Sequence, residues 1–137
     1  MPSYHLALAP DIAEIPRLLD WVEASCRAAG VSSDIAGKLA LSLEEATTNV
    51  INHAFADKPP LCRLTVTLAV EGSRVSAEII DNGRPFDPSA APEPDCALPL
   101  ASRDPGGLGI HLIRKMMDKV VYRRVNDENR LHLEKAR

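Results

Sequence analysis

The sequence lacks most of the features that would assign it to a specialised class of protein. Its three cysteines are odd in number and widely spaced, so they predict neither a disulfide framework nor a zinc site and suit a reducing cytoplasm. No apolar run approaches the ~20 residues of a membrane span, and the N-terminus has no secretory signal pattern. Basic residues form no patch and the formal net charge is −3, which argues against direct binding to nucleic acid.

Alternating apolar residues predict the strands of a sheet. With 137 residues, 45% of them hydrophobic, we expect one domain over residues 1–137 around one core. Strands are predicted over 4–8, over 62–70 and 74–80 as a hairpin, and over 120–125 and 130–135 joined across Asn126 to Asn129.

Three segments with helical periodicity lie between these strands. The first, over roughly 11–29, has Asp11 and Glu14 as a capping box and ends at Gly30. Pro16 is placed awkwardly inside it, which leaves open a later start or a kink near that residue. The second begins after a cap at Ser32 or Ser33 and runs to about residue 56, and the third runs over 108–119. We therefore expect an α+β two-layer sandwich: a mixed, mostly antiparallel sheet with its helices on one face.

The second helix carries the stretch EEATTNVINHA, residues 44–54. At ~100° per residue, Glu45 and Asn49 lie within about 40° of each other on the flank of the apolar stripe. Glu44 lies roughly 100° further round, towards solvent. A carboxylate and a carboxamide are thus placed side by side at the border of the core.

A long segment without periodicity separates the hairpin from the third helix. From Phe86 to Pro105 it contains five prolines, and a loop of this length inside a compact domain is usually a functional lid or disordered. Two glycine motifs flank it, DNGRPFD at 81–87 and GGLGI at 106–110. A loop in this position would close over a pocket.

Each motif alone has a simpler structural interpretation. Asp-Asn-Gly after a strand is a common turn signal, and Gly-Gly before a helix is often only a flexible entry, although such a helix start can also bind phosphate. Glu45 could be solvated, Asn49 could bond a neighbouring loop, and His53 could be a packing histidine. The order and spacing of the three motifs together favour a functional interpretation.

EEATTNVINHA, DNGRPFD and GGLGIHLIRKMMDKVVY resemble the three ATP-binding motifs of the GHKL (histidine-kinase-like) ATPase superfamily. Within it, the chain is most similar to the small anti-sigma-factor serine/threonine kinases. The resemblance extends from the N-terminal strand to the closing NRLHLEK strand. It implies a GHKL-type sandwich with a long ATP lid at approximately residues 86–106.

The resemblance also implies roles for individual residues. Glu45 takes the position of the general base and Asn49 that of the magnesium-binding Asn. These roles suit the chemistry, because a carboxamide oxygen is a hard ligand for Mg²⁺ and a carboxylate can take a proton from a hydroxyl. Asp81 matches the Asp that accepts a hydrogen bond from the adenine amino group, and Gly83 allows close approach of the backbone to the base.

Gly107 and Gly109 match the glycines that form the hinge of the lid and present amides to the phosphates. We add His53 and Leu108 to the candidate nucleotide-binding residues because both lie within the motifs. His111 and Arg114, in the first turns of the third helix, are weaker candidates for phosphate contacts.

The chain departs from the superfamily pattern at two places. Many members have a Thr on a late strand near the adenine-binding Asp, whereas RLHLEK has none, so we expect His132 or a water molecule in its place. The lid has one arginine, Arg103, so neutralisation of phosphate charge would fall mainly to Mg²⁺ and backbone amides.

Three functions remain open. The favoured one is an ATP-dependent, cytoplasmic serine/threonine kinase that phosphorylates an anti-sigma-factor antagonist and binds a sigma factor, because a pure binder needs no base at Glu45. The alternative is an ATP-binding switch that sequesters a partner without efficient transfer. A detached histidine-kinase ATPase domain is weakest, since no hairpin with a phospho-accepting His remains. Arg17 and Arg27 are candidates for partner binding, and a homodimer is left open.

Overall fold

A five-stranded antiparallel sheet forms one layer of the protein. The computed structural model describes residues 2–57, 60–90 and 105–137, and of 105–108 only the helical backbone. The sheet order is β1-β2-β3-β5-β4, and all four pairings between these strands are antiparallel. We expected a mixed, mostly antiparallel sheet. The strands are β1 Ser3–Leu8, β2 Leu64–Glu71, β3 Arg74–Asp81, β4 Lys119–Val125 and β5 Glu128–Ala136.

Helices form the second layer: α1 Ile15–Ala28, α2 Ser33–Asn49 and α3 Pro105–Met116. A short 3-10 turn precedes α1, and α2 continues into a π-helical turn at Val50–Ala54. Within the described part of the chain, no helix has the length and apolar character needed to cross a membrane.

The core lies between the sheet and the helices. Every second residue of β2 and β3 is buried while its neighbours are half-exposed, as a sheet covered on one face requires. The helices α1 and α3 both pack against α2, which therefore occupies the middle of the helical layer. This is the two-layer α+β sandwich that the periodicity predicted. Its largest fully buried side chains include Leu18, Val22, Leu39, Leu43, Leu64, Leu68, Ile79, Ile110, Ile113 and Leu133.

The first helix begins at Ile15, the later start that Pro16 left open, and not at residue 11. Asp11 accepts a hydrogen bond from the Ala13 N–H (2.9 Å) and so caps the 3-10 turn. Glu14 instead accepts from the Ala9 N–H (3.0 Å), so the capping box that we expected does not form. Pro16 lies in the first turn of α1, where its missing N–H is no loss.

The end of the first helix was predicted correctly. Gly30 has a φ of +75°, and the Val31 N–H donates to the Cys26 carbonyl at 2.9 Å. Together they form the left-handed glycine termination common at helix ends. The next helix, α2, starts at Ser33, and the Ser32 hydroxyl caps it by accepting from the Ile35 N–H at 3.3 Å.

The other elements differ from prediction at their boundaries. The third helix starts at Pro105, not Leu108, because proline suits a first helical turn. Between β4 and β5 the turn contains two residues, Asn126 (φ 52°) and Asp127 (φ 62°), not four. Positive φ at both central residues is typical of tight hairpins. The shorter turn makes Asn129 part of β5 and places it opposite Asp81 of β3.

Candidate nucleotide site

The two α2 residues selected from the sequence lie together against the start of α3. Asn49 is only 6% exposed and Glu45 is half-buried. A Cβ added at Gly109 would lie 3.0 Å from Glu45 Oε2 and 3.7 Å from Asn49 Nδ2. The absence of a side chain at Gly109 therefore keeps a space open beside both polar groups.

The charge state of Glu45 is perturbed. Burial raises the pKa of its carboxyl group, and the nearby Glu44 carboxylate raises that pKa further. Glu44 itself is half-buried rather than fully solvated. A carboxylate with a raised pKa is a stronger proton acceptor once ionised, which suits a general base.

Asp81 lies at the end of β3 and is 2% exposed. The Gly83 N–H and Asn129 Nδ2 both donate to its Oδ1, each at 2.9 Å. Burial raises the pKa of Asp81, while those hydrogen bonds and the Arg124 guanidinium act in the opposite direction. These groups offset part of the effect of burial, the Glu128 carboxylate adds to it, and the pKa of Asp81 stays above its usual value.

Gly83 allows the loop after β3 to touch the π-helical turn. A Cβ at this position would lie 2.7 Å from the Ala54 carbonyl carbon and closer still to its oxygen. The Arg84 N–H donates to the Ala54 carbonyl (2.9 Å), and Arg84 Nε donates to the His53 carbonyl (3.0 Å). These donors satisfy two carbonyls at the end of the turn.

Asn129, which no motif indicated, holds the base of the site together. Its Nδ2 also donates to the Arg84 carbonyl (2.8 Å), and its Oδ1 accepts from the Phe86 N–H (3.2 Å). The same Oδ1 accepts from the Tyr122 hydroxyl (2.5 Å) and from Arg124 Nη1 (3.1 Å). The signal that could have found Asn129 is Asn-Asp at 126–127, which predicts a two-residue turn and hence this register.

The expectation for His132 was wrong. It pairs with Glu78, three residues before Asp81 on β3. An odd offset along a strand points a side chain to the opposite face of the sheet. The position next to Asp81 is occupied by Asn129 instead.

The first two motifs, EEATTNVINHA and DNGRPFD, meet at a small cavity of about 20 Å³. That volume is enough for about one water molecule, so a purine base could enter only if part of the wall moved. Phe86 and Pro88 form the wall that belongs to the root of the lid, and the lining includes Asn49, Asp81, Tyr122 and Asn129.

The remaining candidates have other surroundings. The His53 ring stacks on Phe86, with ring centroids 4.9 Å apart, so it contacts the cavity wall. Arg114 Nη2 donates to the Ser89 carbonyl at 2.5 Å and joins α3 to the lid root. Gly107 and Leu108 lie in the helical backbone of α3. The rest of the lid, 91–104 with Arg103, lies outside the described residues, as do the side-chain surroundings of Leu108.

Comparison with models of protein families assigns the chain to a family. The model of the histidine kinase-like ATPase domain matches residues 8–135, nearly the whole chain. The chain belongs to the histidine kinase-like ATPase family. The resemblance deduced from the three motifs is thereby confirmed at the level of the superfamily.

Relatives of this ATPase domain include protein kinases. The chain is 37% identical over 95 residues to the serine/threonine-protein kinase BtrW of Bordetella bronchiseptica, covering 69% of this chain and 66% of that protein. It is 33% identical over 95 residues to the serine-protein kinase RsbW of Halalkalibacterium halodurans, covering 66% of this chain and 57% of that protein. The alignments thus span less than two thirds of either relative.

Two solved structures have a fold similar to that of this chain. The structure of the RsbU and RsbW domains of Rv1364c from Mycobacterium tuberculosis matches 99% of this chain and 32% of that chain, with a TM-score of 0.70 and 14% identity. The histidine kinase domain of the Erythrobacter litoralis EL346 blue-light activated histidine kinase matches 91% of this chain and 60% of that chain, with a TM-score of 0.60 and 15% identity. At these identities the likeness supports the fold alone.

The site of this ATPase domain contains a buried donor without a partner. Asn49 Nδ2 is buried and has no hydrogen-bond partner among the described residues, and Gly109 leaves the adjacent space open. Such an N–H donor suits an anionic oxygen, for example that of a phosphate, whereas a cation would have to bind to the other atom of the carboxamide, Oδ1. In the same part of the chain, no three His, Cys, Asp or Glu side chains form a metal cluster. Mg²⁺ bound with a nucleotide needs none, since phosphate oxygens and water supply most of its ligands.

Proposed function

We propose that this chain is an ATP-dependent serine/threonine protein kinase that phosphorylates an anti-sigma-factor antagonist and also binds a sigma factor. The observation that carries the proposal is the Glu45 carboxylate, half-buried and with a raised pKa, beside Asn49 and Gly109. Similarity to proteins named as serine kinases supports the same activity. A cytoplasmic location accompanies the proposal, because ATP and sigma factors are cytoplasmic molecules.

The proposed roles follow from the positions of the side chains. Asp81 would accept a hydrogen bond from the adenine amino group through Oδ2, because both hydrogen bonds that it accepts from the described residues go to Oδ1. Asn49 would hold Mg²⁺ through its carboxamide oxygen. The backbone amide of Gly107, in the first turn of α3, would face the phosphates, since the start of a helix favours anions. Gly109 is the fifth residue of α3, where the N–H is bonded within the helix, so it would contribute open space beside Glu45 and Asn49 rather than the amide that we expected. The bound cation would neutralise phosphate charge.

Glu45 would act on the protein substrate. Its ionised carboxylate takes the proton of the attacking serine hydroxyl, so that the oxygen can bond to the γ-phosphorus as ADP leaves. The raised pKa of Glu45 means that this acceptor form is fully populated only above the usual range of a glutamate. Transfer should therefore increase with pH through that raised pKa.

The small cavity favours a second candidate. Phe86 and Pro88 leave room for about one water molecule beside Asp81, so nucleotide binding must displace the lid root. A chain that changes shape in this way could instead be an ATP-dependent switch that holds a protein partner. Arg17 and Arg27 stay candidates for the partner surface, both in exposed ion pairs with Glu14 and Glu23.

The rate of phosphate transfer by the Glu45→Ala variant distinguishes the kinase from the ATP-dependent switch. The parent, Glu45→Ala, Asn49→Ala and the control Glu44→Ala are incubated with labelled ATP, Mg²⁺ and an antagonist protein from the same genome. The control removes the adjacent carboxylate, and a mildly alkaline buffer keeps Glu45 ionised in every variant that retains it.

For the kinase we expect Glu45→Ala to bind ATP normally but to transfer phosphate about 10²–10⁴-fold more slowly. Asn49→Ala should lose both Mg²⁺-dependent binding and transfer, and Glu44→Ala should match the parent. Transfer by Glu45→Ala at the parental rate would refute the assigned base. If the parent binds ATP and transfers none to any antagonist of its genome, the switch replaces the kinase.

A further inference from the structure

Asn129 has a carboxamide whose hydrogen-bonding capacity is fully used. It is 3% exposed, and its two N–H donors go to Asp81 and to the Arg84 carbonyl. Its oxygen accepts from the Phe86 backbone and from two side chains of β4, Tyr122 and Arg124. A buried amide with all its partners in place has one orientation, because a flip would oppose donors to donors.

This fixed orientation acts on one oxygen of Asp81. The Asn129 amide and the Gly83 N–H both donate to Oδ1 at 2.9 Å. Among the described residues, both hydrogen bonds to this carboxylate go to Oδ1 and none to Oδ2. These two donors, one on β5 and one in the loop after β3, therefore fix the plane of the carboxylate and leave Oδ2 as the acceptor.

The geometry points to Asn129 as a positioning residue that aims Asp81 Oδ2 at the purine amino group and thereby sets the preference for adenine. The inference rests on the proposed binding of ATP, and it concerns what gives Asp81 its selectivity. Inosine carries a carbonyl where adenine carries the amino group. A fixed carboxylate oxygen accepts from the amino group and repels that carbonyl, whereas a mobile carboxylate can turn away.

Other residue types at position 129 would not produce this arrangement. An aspartate would oppose Asp81 with a second carboxylate, and an aliphatic side chain would leave the Phe86 N–H and Arg84 carbonyl without their partner. The Asn129 hydrogen bond also lowers the pKa of Asp81 against the burial that raises it. The same amide thus favours both the direction and the acceptor state of the carboxylate.

The test compares the affinities of the full chain for ATP and inosine triphosphate, measured by calorimetry with Mg²⁺. The variants are Asn129→Ala, Asp81→Asn and the matched control Asn82→Ala. Asn82 is the neighbouring carboxamide, and it bonds the Arg63 N–H and the Leu61 carbonyl, both at 2.6 Å, instead of Asp81. The readout is the ratio of the two dissociation constants, which a merely structural role would not change.

We expect the parent to prefer ATP by at least about tenfold and Asn82→Ala to keep that ratio. Asn129→Ala should bring the ratio close to one, as should Asp81→Asn. Equal weakening of both nucleotides by Asn129→Ala, with the parental ratio kept, would overturn the inference.

A second variant covers a failure of Asn129→Ala to fold. In Asn129→Ser the hydroxyl lies one bond nearer the backbone than Nδ2 and does not reach Asp81, so the ratio should fall as well, and a parental ratio overturns the inference. If the parent binds neither nucleotide, the proposed function fails and the inference fails with it. If only Asp81→Asn loses selectivity, the inference alone fails.

Discussion

Gly109→Ala should make the protein more stable and less active. Gly109 lies inside α3 and its φ is outside the left-handed region, so alanine fits the backbone. Replacing a helical glycine by alanine contributes about 1 kcal/mol, which corresponds to a rise in Tm of roughly 3–5 °C for a chain of this size. The new Cβ would lie 3.0 Å from Glu45 Oε2, against an ordinary contact of roughly 3.5 Å.

The shortfall of roughly 0.5 Å in this contact should displace the Glu45 carboxylate rather than the helix. That carboxylate ends a flexible, half-buried side chain, so it can move by roughly 0.5 Å at little cost in stability. The same movement removes the base from its position. Since a misplacement of about 1 Å can cost about 10²-fold, we expect phosphate transfer to slow by about tenfold.

Gly37→Ala is the matched control. Gly37 is an exposed glycine inside α2, and an added Cβ there meets nothing within 4 Å. It should give the same gain in Tm with the parental transfer rate. Differential scanning calorimetry and single-turnover transfer of labelled phosphate measure both quantities. A Gly109→Ala protein that transfers phosphate as fast as Gly37→Ala would refute the role of the open space.

Two further predictions concern pH and the lid. The pKa of Glu45 is raised in the folded state. Ionisation of Glu45 therefore lowers the free energy of unfolding at pH values above that raised pKa, and this loss disappears as the pH falls below the pKa of Glu45 in the unfolded chain. Glu45→Gln should therefore be more stable than the parent at about pH 7, by less than about 1 kcal/mol, and equal to it at about pH 4; denaturant titrations that show no difference at neutral pH would contradict this. From the sequence alone, we predict that ATP slows hydrogen exchange over residues 87–105, most of which lie outside the described residues; exchange that is the same with and without nucleotide would remove the lid assignment.

The regular elements could be predicted from sequence because each has a strong local period. The strands β2 and β3 alternate buried and half-exposed residues as the sequence indicates. Errors occurred where glycine or a turn sets the boundary. The third helix includes Gly106, Gly107 and Gly109, which lower helix propensity, yet it begins at Pro105.

The candidate site was predictable only where a motif marked it. Asn49 and Asp81 line the small cavity, and Glu45 and Gly109 lie beside Asn49. Their functional roles stay predictions, as does the assignment of residues 1–137 to a single domain. Asn129 belongs to no motif, and its contact with Asp81 depends on strand register. A turn of two residues instead of four moves it into β5. Such a long-range pairing cannot be read from local periodicity.

The contact between Gly83 and Ala54 determines how the two ends of the site are spaced. Ala54 closes the helical segment that carries Asn49, and Gly83 belongs to the loop that follows Asp81. Because the two backbones touch directly, the distance between Asp81 and Asn49 does not depend on the length of a side chain at either contact position. If ATP binds as proposed, this distance would have to match the span from its purine to its phosphates.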